Sequence, residues 1–257
     1  MRPRQPVLFI GHGSPVNALA DNPFTRSLRA LGRRLSRPQA ILVVSAHWLT
    51  EGTWVTGAER PAQIYDFFGF PDALYRVAYR PVGSPEIARR LTEKVSQRTV
   101  SASPVRGLDH AAWAILHHLF PAADIPVVEM SLDITLSEEF HLEVASSLSF
   151  LRDENVLVIG SGNIVHNLQL MSPEAEAPVA DWAAAADRRI ADLLAAADLH
   201  SLARFSRGGD ANLAVPAADH FLPLLYAAAL RRDREPLSFV YEGFQYGTVS
   251  MRSLRIG

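Results

Sequence analysis

Three apolar runs in this chain each finish on small residues and then a histidine. Pro6-Val7-Leu8-Phe9-Ile10 leads into Gly11-His12-Gly13, Ile41-Leu42-Val43-Val44-Ser45-Ala46 into His47, and Val156-Leu157-Val158-Ile159-Gly160-Ser161-Gly162 toward His166. Short continuous apolar runs of this kind read as strands buried on both faces. Such strands sit in a sheet covered by helices, and ligands of open α/β sheets bind beyond the carboxyl ends of the strands. Three histidines delivered to that edge predict one shared site, and the affinity of imidazole for Zn²⁺ and Fe²⁺ predicts a metal in it. The glycines flanking His12 let the backbone turn sharply and another group approach closely.

Between the runs the spacing turns helical. Asn22-Pro23 opens a helix with Phe24, Leu28 and Leu31 on one face, and Ser84-Pro85 opens one through Ile87, Leu91 and Val95. Asp109 caps a helix over 111–119, Ser137 opens one ending near Arg152, and Trp182, Ala186, Ile190 and Leu193 mark another. Asp219 is expected to cap a helix through Leu225 and Ala229. Further strands are expected at 53–56, 75–79, 126–131, 237–241 and 247–251, and loops at 64–71, 104–108 and 207–210. Strands alternating with helices predict an α/β fold with a central, mostly parallel sheet flanked by helices. With no repeat, low-complexity tract or linker, the 257 residues are expected to form a single catalytic domain, 1–257.

Composition removes several classes of function. A formal net charge of -2 provides no basic face for nucleic acid. The absence of cysteine excludes disulfides, thiolate metal sites and cysteine nucleophiles. The basic start Met1-Arg2-Pro3-Arg4 precedes an apolar run of only 7–10, too short for a signal peptide, and no stretch approaches the ~20 apolar residues of a membrane helix. A cytoplasmic protein with no membrane partner is expected, as a monomer or homodimer. Gly11-x-Gly13 and Gly160-x-Gly162 carry Val16 and Val165 where a dinucleotide fingerprint needs its third glycine, neither Ser14 nor Ser161 sits in G-x-S-x-G, and no phosphate-binding G-x-x-x-x-G-K-[ST] occurs.

A lone histidine is usually a packed or solvated residue, and only convergence makes a site. His117, His118, His141 and His200, on or beside helices, are therefore read as structural. His12, His47, His110, His166 and His220 each follow a strand, a glycine turn or a helix start and are read as candidates. Their wide spacing excludes a zinc finger or an H-E-x-x-H helix. Asp109 and Asp219 are read as helix caps. Tyr65, Phe67, Phe68 and Phe70 could wall a flat substrate, and Arg252 or Arg106 could pair with a substrate carboxylate. The residues alone leave a zinc-dependent hydrolase and a non-catalytic metal- or ligand-binding protein open beside an oxygenase.

Gly11-His12-Gly13-Ser14-Pro15, Ser45-Ala46-His47-Trp48, Leu108-Asp109-His110-Ala111-Ala112-Trp113, Gly160-Ser161-Gly162-Asn163-Ile164-Val165-His166-Asn167-Leu168 and Asp219-His220-Phe221-Leu222-Pro223-Leu224, with Glu242-Gly243-Phe244 and Ser250-Met251-Arg252-Ser253 at the end, resemble the class III extradiol ring-cleavage dioxygenases in their 4,5-DOPA dioxygenase branch. The likeness runs in order through nearly the whole chain. It implies one α/β domain, one divalent metal ion, and opening of a small catechol such as DOPA with O₂. It implies His12 and His47 as ligands, with His220 at the third position in place of the family's glutamate, a set that suits Fe²⁺ for catalysis or Zn²⁺. It also implies His110 as a second pocket histidine and His166 as a fourth ligand or an acid/base residue. Tyr65, Phe67, Phe68 and Arg252 are the expected substrate contacts.

Overall fold

The computed structural model describes residues 4–95, 99–207 and 211–257, and sets the apolar runs in the middle of one eight-stranded sheet. Its strands are β1 (Val7–Gly11), β2 (Ala40–Thr50), β3 (Thr53–Thr56), β4 (Val100–Ser103), β5 (Val127–Asp133), β6 (Val156–Gly162), β7 (Leu237–Tyr241) and, after the short hairpin of β8 (Phe244–Gln245) and β9 (Val249–Ser250), β10 (Ser253–Ile256). The order across the sheet is β4-β3-β5-β2-β6-β1-β10-β7. The pairs β5–β2, β2–β6, β6–β1 and β3–β4 are parallel, while β3–β5, β1–β10 and β10–β7 are antiparallel.

Helices cover both faces: α1 (Pro23–Arg34), α2 (Asp72–Tyr75), α3 (Pro85–Lys94), α4 (His110–Leu119), α5 (Glu138–Ser147), α6 (Phe150–Asp153), α7 (Asp181–Ala195), α8 (Leu199–Ala203), α9 (Ala211–Ala214) and α10 (Leu222–Ala229). Alternate residues of each central strand feed opposite cores. Leu8, Ile10, Ile41 and Val43 pack with α1 and α4, whereas Val7, Phe9, Leu42 and Val44 pack with α5, α7 and α10. Each such buried side chain removes enough apolar surface from water to contribute ~1.5–3 kcal/mol. This explains the unbroken apolar runs: a strand covered on both faces has no polar side. Among the described residues no helix is long and apolar enough to cross a membrane.

Several local expectations differ from the structure. Residues 75–79 form no strand. α2 ends at Tyr75, and the chain then turns so that Val77 and Tyr79 reach the α4-side core while the Tyr79 N–H donates to Gln63 Oε1 at 2.8 Å. The helix from Ser137 stops at Ser147 and restarts at Phe150. β4 and β10, each four residues long, have no distinct apolar run, and the run expected at 247–251 supplies only β9. Met1–Pro3, and Gly208–Asp210 of the expected 207–210 loop, lie outside the described residues.

Candidate metal centre

Register brings the histidines together. Gly11 pairs with Gly162 across β1–β6, and Ser45 pairs with Ser161 across β2–β6. His12 leaves β1 with its N–H bonded to Gly162 O at 3.0 Å. β2 runs past that level, and its register with β5 shifts between Val44 and Leu49, so His47 sits on an irregularity that re-aims its side chain. Asp109 caps α4 by accepting the Ala111 N–H at 3.0 Å, which sets His110 at the first helical position. His220 precedes α10, and its carbonyl accepts the Asn163 N–H at 2.9 Å. The Asn163 side chain accepts from Gly13 N at 3.2 Å and donates to Ser250 O at 2.8 Å, tying three loops of the site together.

His12, His47 and His220 each offer a ring nitrogen within 4.8 Å of the others. His12 Nε2 and His47 Nε2 face each other at 3.2 Å. The groups behind them fix the tautomers. Ser161 Oγ spends its single proton on Ala111 O at 2.7 Å, so at its 3.0 Å contact with His12 Nδ1 the histidine is the donor. His12 Nε2 therefore carries a lone pair. His47 Nδ1 lies 3.4 Å from Asp66 Oδ2, whose negative charge favours the proton on that side and Nε2 as an acceptor too. Two acceptors facing each other at hydrogen-bond distance call for a cation, and a set of imidazoles backed by carboxylate or hydroxyl partners fits a divalent metal ion. Behind His220, Asp219 Oδ2 lies 3.2 Å from Nδ1, out of hydrogen-bond alignment, so the contact is electrostatic.

Burial, with neighbouring imidazoles adding to it, holds His12 well below its ordinary pKa and brings His47 down to about 2. Burial first and His220 second bring His166 down to about 3. Neutral imidazole is the ligand form. Asp66 behaves oppositely. Burial would raise its pKa, but the hydrogen bonds and charge of His110, followed by His47, bring it down to about 2. It accepts from His110 through both Nδ1 at 2.8 Å and the backbone N–H at 3.0 Å.

The histidines open into a cleft of about 340 Å³. Its lining includes all five candidate histidines together with Asp66, Phe67, Phe70, Leu168, Met171 and Tyr246. His166 stacks on His220, with ring centroids 3.6 Å apart and planes 10° from parallel. Phe67 stands edge-on to His110 at 5.6 Å. Chemically, the arrangement joins three imidazoles able to hold an ion to a largely apolar, aromatic-walled cleft of a size for one ring.

Three expected substrate contacts are not in this lining. Arg252 is buried with its guanidinium on Asp187 of α7 and over the Phe239 ring, so its charge is used within the fold. Phe68 is 92% exposed, since its neighbours Phe67 and Phe70 take the inward positions of the loop. Tyr65 sits beneath the pocket wall, its hydroxyl donating to Val77 O at 2.7 Å. Arg106 pairs with Asp109 at 2.9 Å, and Asp219 caps no helix. Asp66 and Ser161 are absent from the residues the sequence singles out, although each directly contacts a site histidine. A single carboxylate inside an aromatic loop and a serine in a glycine turn carry no spacing signal.

The chain matches the family model described as the catalytic LigB subunit of aromatic ring-opening dioxygenase over residues 6–255. It is 41% identical to a protein of Escherichia coli (strain K12) named 4,5-DOPA dioxygenase extradiol, over 99% of this chain and 95% of that one. A protein of Beta vulgaris with the same name is 34% identical over 97% and 95%. Among solved structures, that of an uncharacterized protein of Escherichia coli K12 superposes with a TM-score of 0.84 at 37% identity, covering 99% of this chain and 100% of the other.

Proposed function

The chain belongs to the LigB family of class III extradiol ring-cleavage dioxygenases, O₂-incorporating and metal-dependent enzymes, and from that premise we propose that it opens a single-ring catechol such as DOPA with Fe²⁺ as the working metal. The observation that supports this most directly is the pair of acceptor nitrogens of His12 and His47, 3.2 Å apart beside His220, at the floor of an aromatic cleft. His12, His47 and His220 would hold the ion. An ion held there would supply Lewis acidity toward the catechol and, as Fe²⁺, a redox-active path for the catechol's electrons to reach O₂, which redox-silent Zn²⁺ would not.

The chain's own groups do the rest. His110 has its Nδ1 proton on the Asp66 carboxylate, so Nε2 is free to take a phenolic proton, and the carboxylate stabilises the imidazolium that results. His110 is thus the proposed base, and returns the proton as the ring opens. His166, kept neutral by burial, forms the opposite wall beside His220 as a hydrogen-bonding partner or a further ligand. Phe67 and Phe70 flank the ring and keep water out.

Iron is loaded anaerobically, and then a catechol and O₂ are supplied. A yellow ring-opened product is expected, and its absence with fully loaded protein refutes the reading. His110→Ala is expected to keep metal and lose turnover, whereas His47→Ala loses metal. Equal metal loss in both would make His110 a ligand instead of a base.

A further inference from the structure

Behind the site lies a buried acid pair that the proposed chemistry does not use. Glu129, on β5, and Asp109 are both completely buried. The Asp109 N–H donates to Glu129 Oε2 at 2.9 Å. The Asp109 carboxylate is crowded with donors: Ser45 Oγ at 2.8 and 2.9 Å, the Ala111 N–H at 3.0 Å and the Arg106 guanidinium at 2.9 Å. Ser45 Oγ also accepts the His47 N–H at 3.0 Å. Arg106, stacked over Trp48, is the only cation at the pair among the described residues, and stands 3.6 Å from Glu129 Oε1. That oxygen is buried and has no donor from any other residue.

A buried carboxylate oxygen with no donor, packed against a second carboxylate with one shared arginine, is satisfied if it carries a proton itself. We propose that Glu129 is a positioning residue for ring cleavage: a neutral carboxylic acid whose O–H donates to Asp109, fixing the turn that presents His110 and, through Ser45, the segment that presents His47. Burial and the neighbouring Asp109 charge both favour this protonated form. The two bonds are reciprocal: the Asp109 backbone donates to one Glu129 oxygen while the other donates back to the Asp109 side chain. That arrangement locks the residue before His110 against β5 and leaves the Asp109 charge to Arg106, Ser45 and the start of α4. The positioning role rests on the reaction proposed above, while the protonation does not.

The isosteric Glu129→Gln keeps both bonds, because its amide oxygen accepts and its amide nitrogen donates, whereas Glu129→Leu keeps neither. Infrared difference spectra of metal-free protein are expected to show a protonated-carboxyl carbonyl stretch at pH 7 that disappears in Glu129→Gln. With iron and a catechol, Glu129→Gln is expected to retain kcat within about twofold, and Glu129→Leu to lose about tenfold or more in kcat with KM and metal content little changed. A missing carboxyl band, or a Glu129→Gln variant that loses tenfold while still folded, overturns the proposal, and the second result does so even if Glu129→Leu fails to fold. A folded Glu129→Leu with native kcat overturns the positioning role.

Discussion

Gly162→Ala tests the site through one atom. A Cβ at Gly162 would lie 2.1 Å from His220 O, 3.1 Å from His220 C and 3.2 Å from Pro223 Cγ. The nearest of these is backbone, so no flexible side chain can yield. Ordinary contact requires the His220 carbonyl to retreat by about 1 Å, which also strains its 2.9 Å hydrogen bond from Asn163. Metal bonds tolerate about ±0.2 Å, so His220 moves out of coordinating reach with its backbone. Overpacking of this kind costs ~1–3 kcal/mol, which for a chain of this size is a fall of roughly 2–12 °C in Tm. Loss of a supported ligand weakens metal binding by at least about 10–100-fold. Chelator competition gives the affinity and scanning calorimetry the Tm. Gly69→Ala is the control: an added Cβ there meets nothing within 4 Å, so only the strain of its +76° φ is incurred and metal affinity stays native. Native metal affinity in Gly162→Ala would refute the close-approach reasoning.

The buried His141, whose Nδ1 lies 3.0 Å from the Tyr226 hydroxyl, has its pKa lowered by burial to about 4. The unfolded chain therefore takes up a proton near pH 6.5 that the folded one refuses until about 4, and stability falls as pH drops through that window by on the order of 3 kcal/mol; His141→Asn is expected to flatten that part of the Tm–pH curve of the metal-loaded protein. Arg252→Leu leaves the Asp187 carboxylate buried without its cation and is expected to destabilise by ~3–5 kcal/mol in denaturant titration, with KM for a carboxylate-bearing catechol unchanged in whatever protein remains folded. Phe68→Ala, at an exposed position, is expected to change stability by less than about 0.5 kcal/mol and KM by less than twofold in steady-state rates.

The central strands and the histidines at their ends are legible because one constraint produces both signals. Burial on two faces makes β1, the first half of β2 and most of β6 continuous apolar runs, so the histidines that follow those runs stand out. Edge elements lack that contrast. β10 contains Ser253 and Arg255 among its four residues and gains its place only by pairing with β1 and β7, which no local pattern encodes. Residues 75–79 mislead for the converse reason: Tyr75, Val77 and Tyr79 alternate because a turn buries the last two, with no strand involved. Arginines are ambiguous in sequence because a guanidinium suits a substrate carboxylate and a buried structural one equally well. Arg252 and Arg106 both take the second role.

Asp66 is the clearest case of a candidate site residue that the sequence does not single out, and its removal separates what holds the site from what is proposed to work in it. Its carboxylate receives the His110 Nδ1–H at 2.8 Å and lies 3.4 Å from His47 Nδ1, so one charge sets the tautomer of the proposed base and biases that of one proposed ligand electrostatically. Asp66→Asn keeps the size but removes the charge, and its amide can offer a donor where both rings require an acceptor. His110 then loses its partner for the imidazolium form, and the proton it must accept is held less well. Its backbone bond and the packing of Phe67 and Phe70 remain, so the cleft keeps its shape. The expected result is a 10–100-fold fall in kcat, with KM changed by much less. Metal affinity should weaken less than in His47→Ala, because His12 keeps its Ser161 support and His220 its own carboxylate neighbour. Native turnover in Asp66→Asn would mean that the His110 proton needs no counter-charge, and the base would have to be sought in His166.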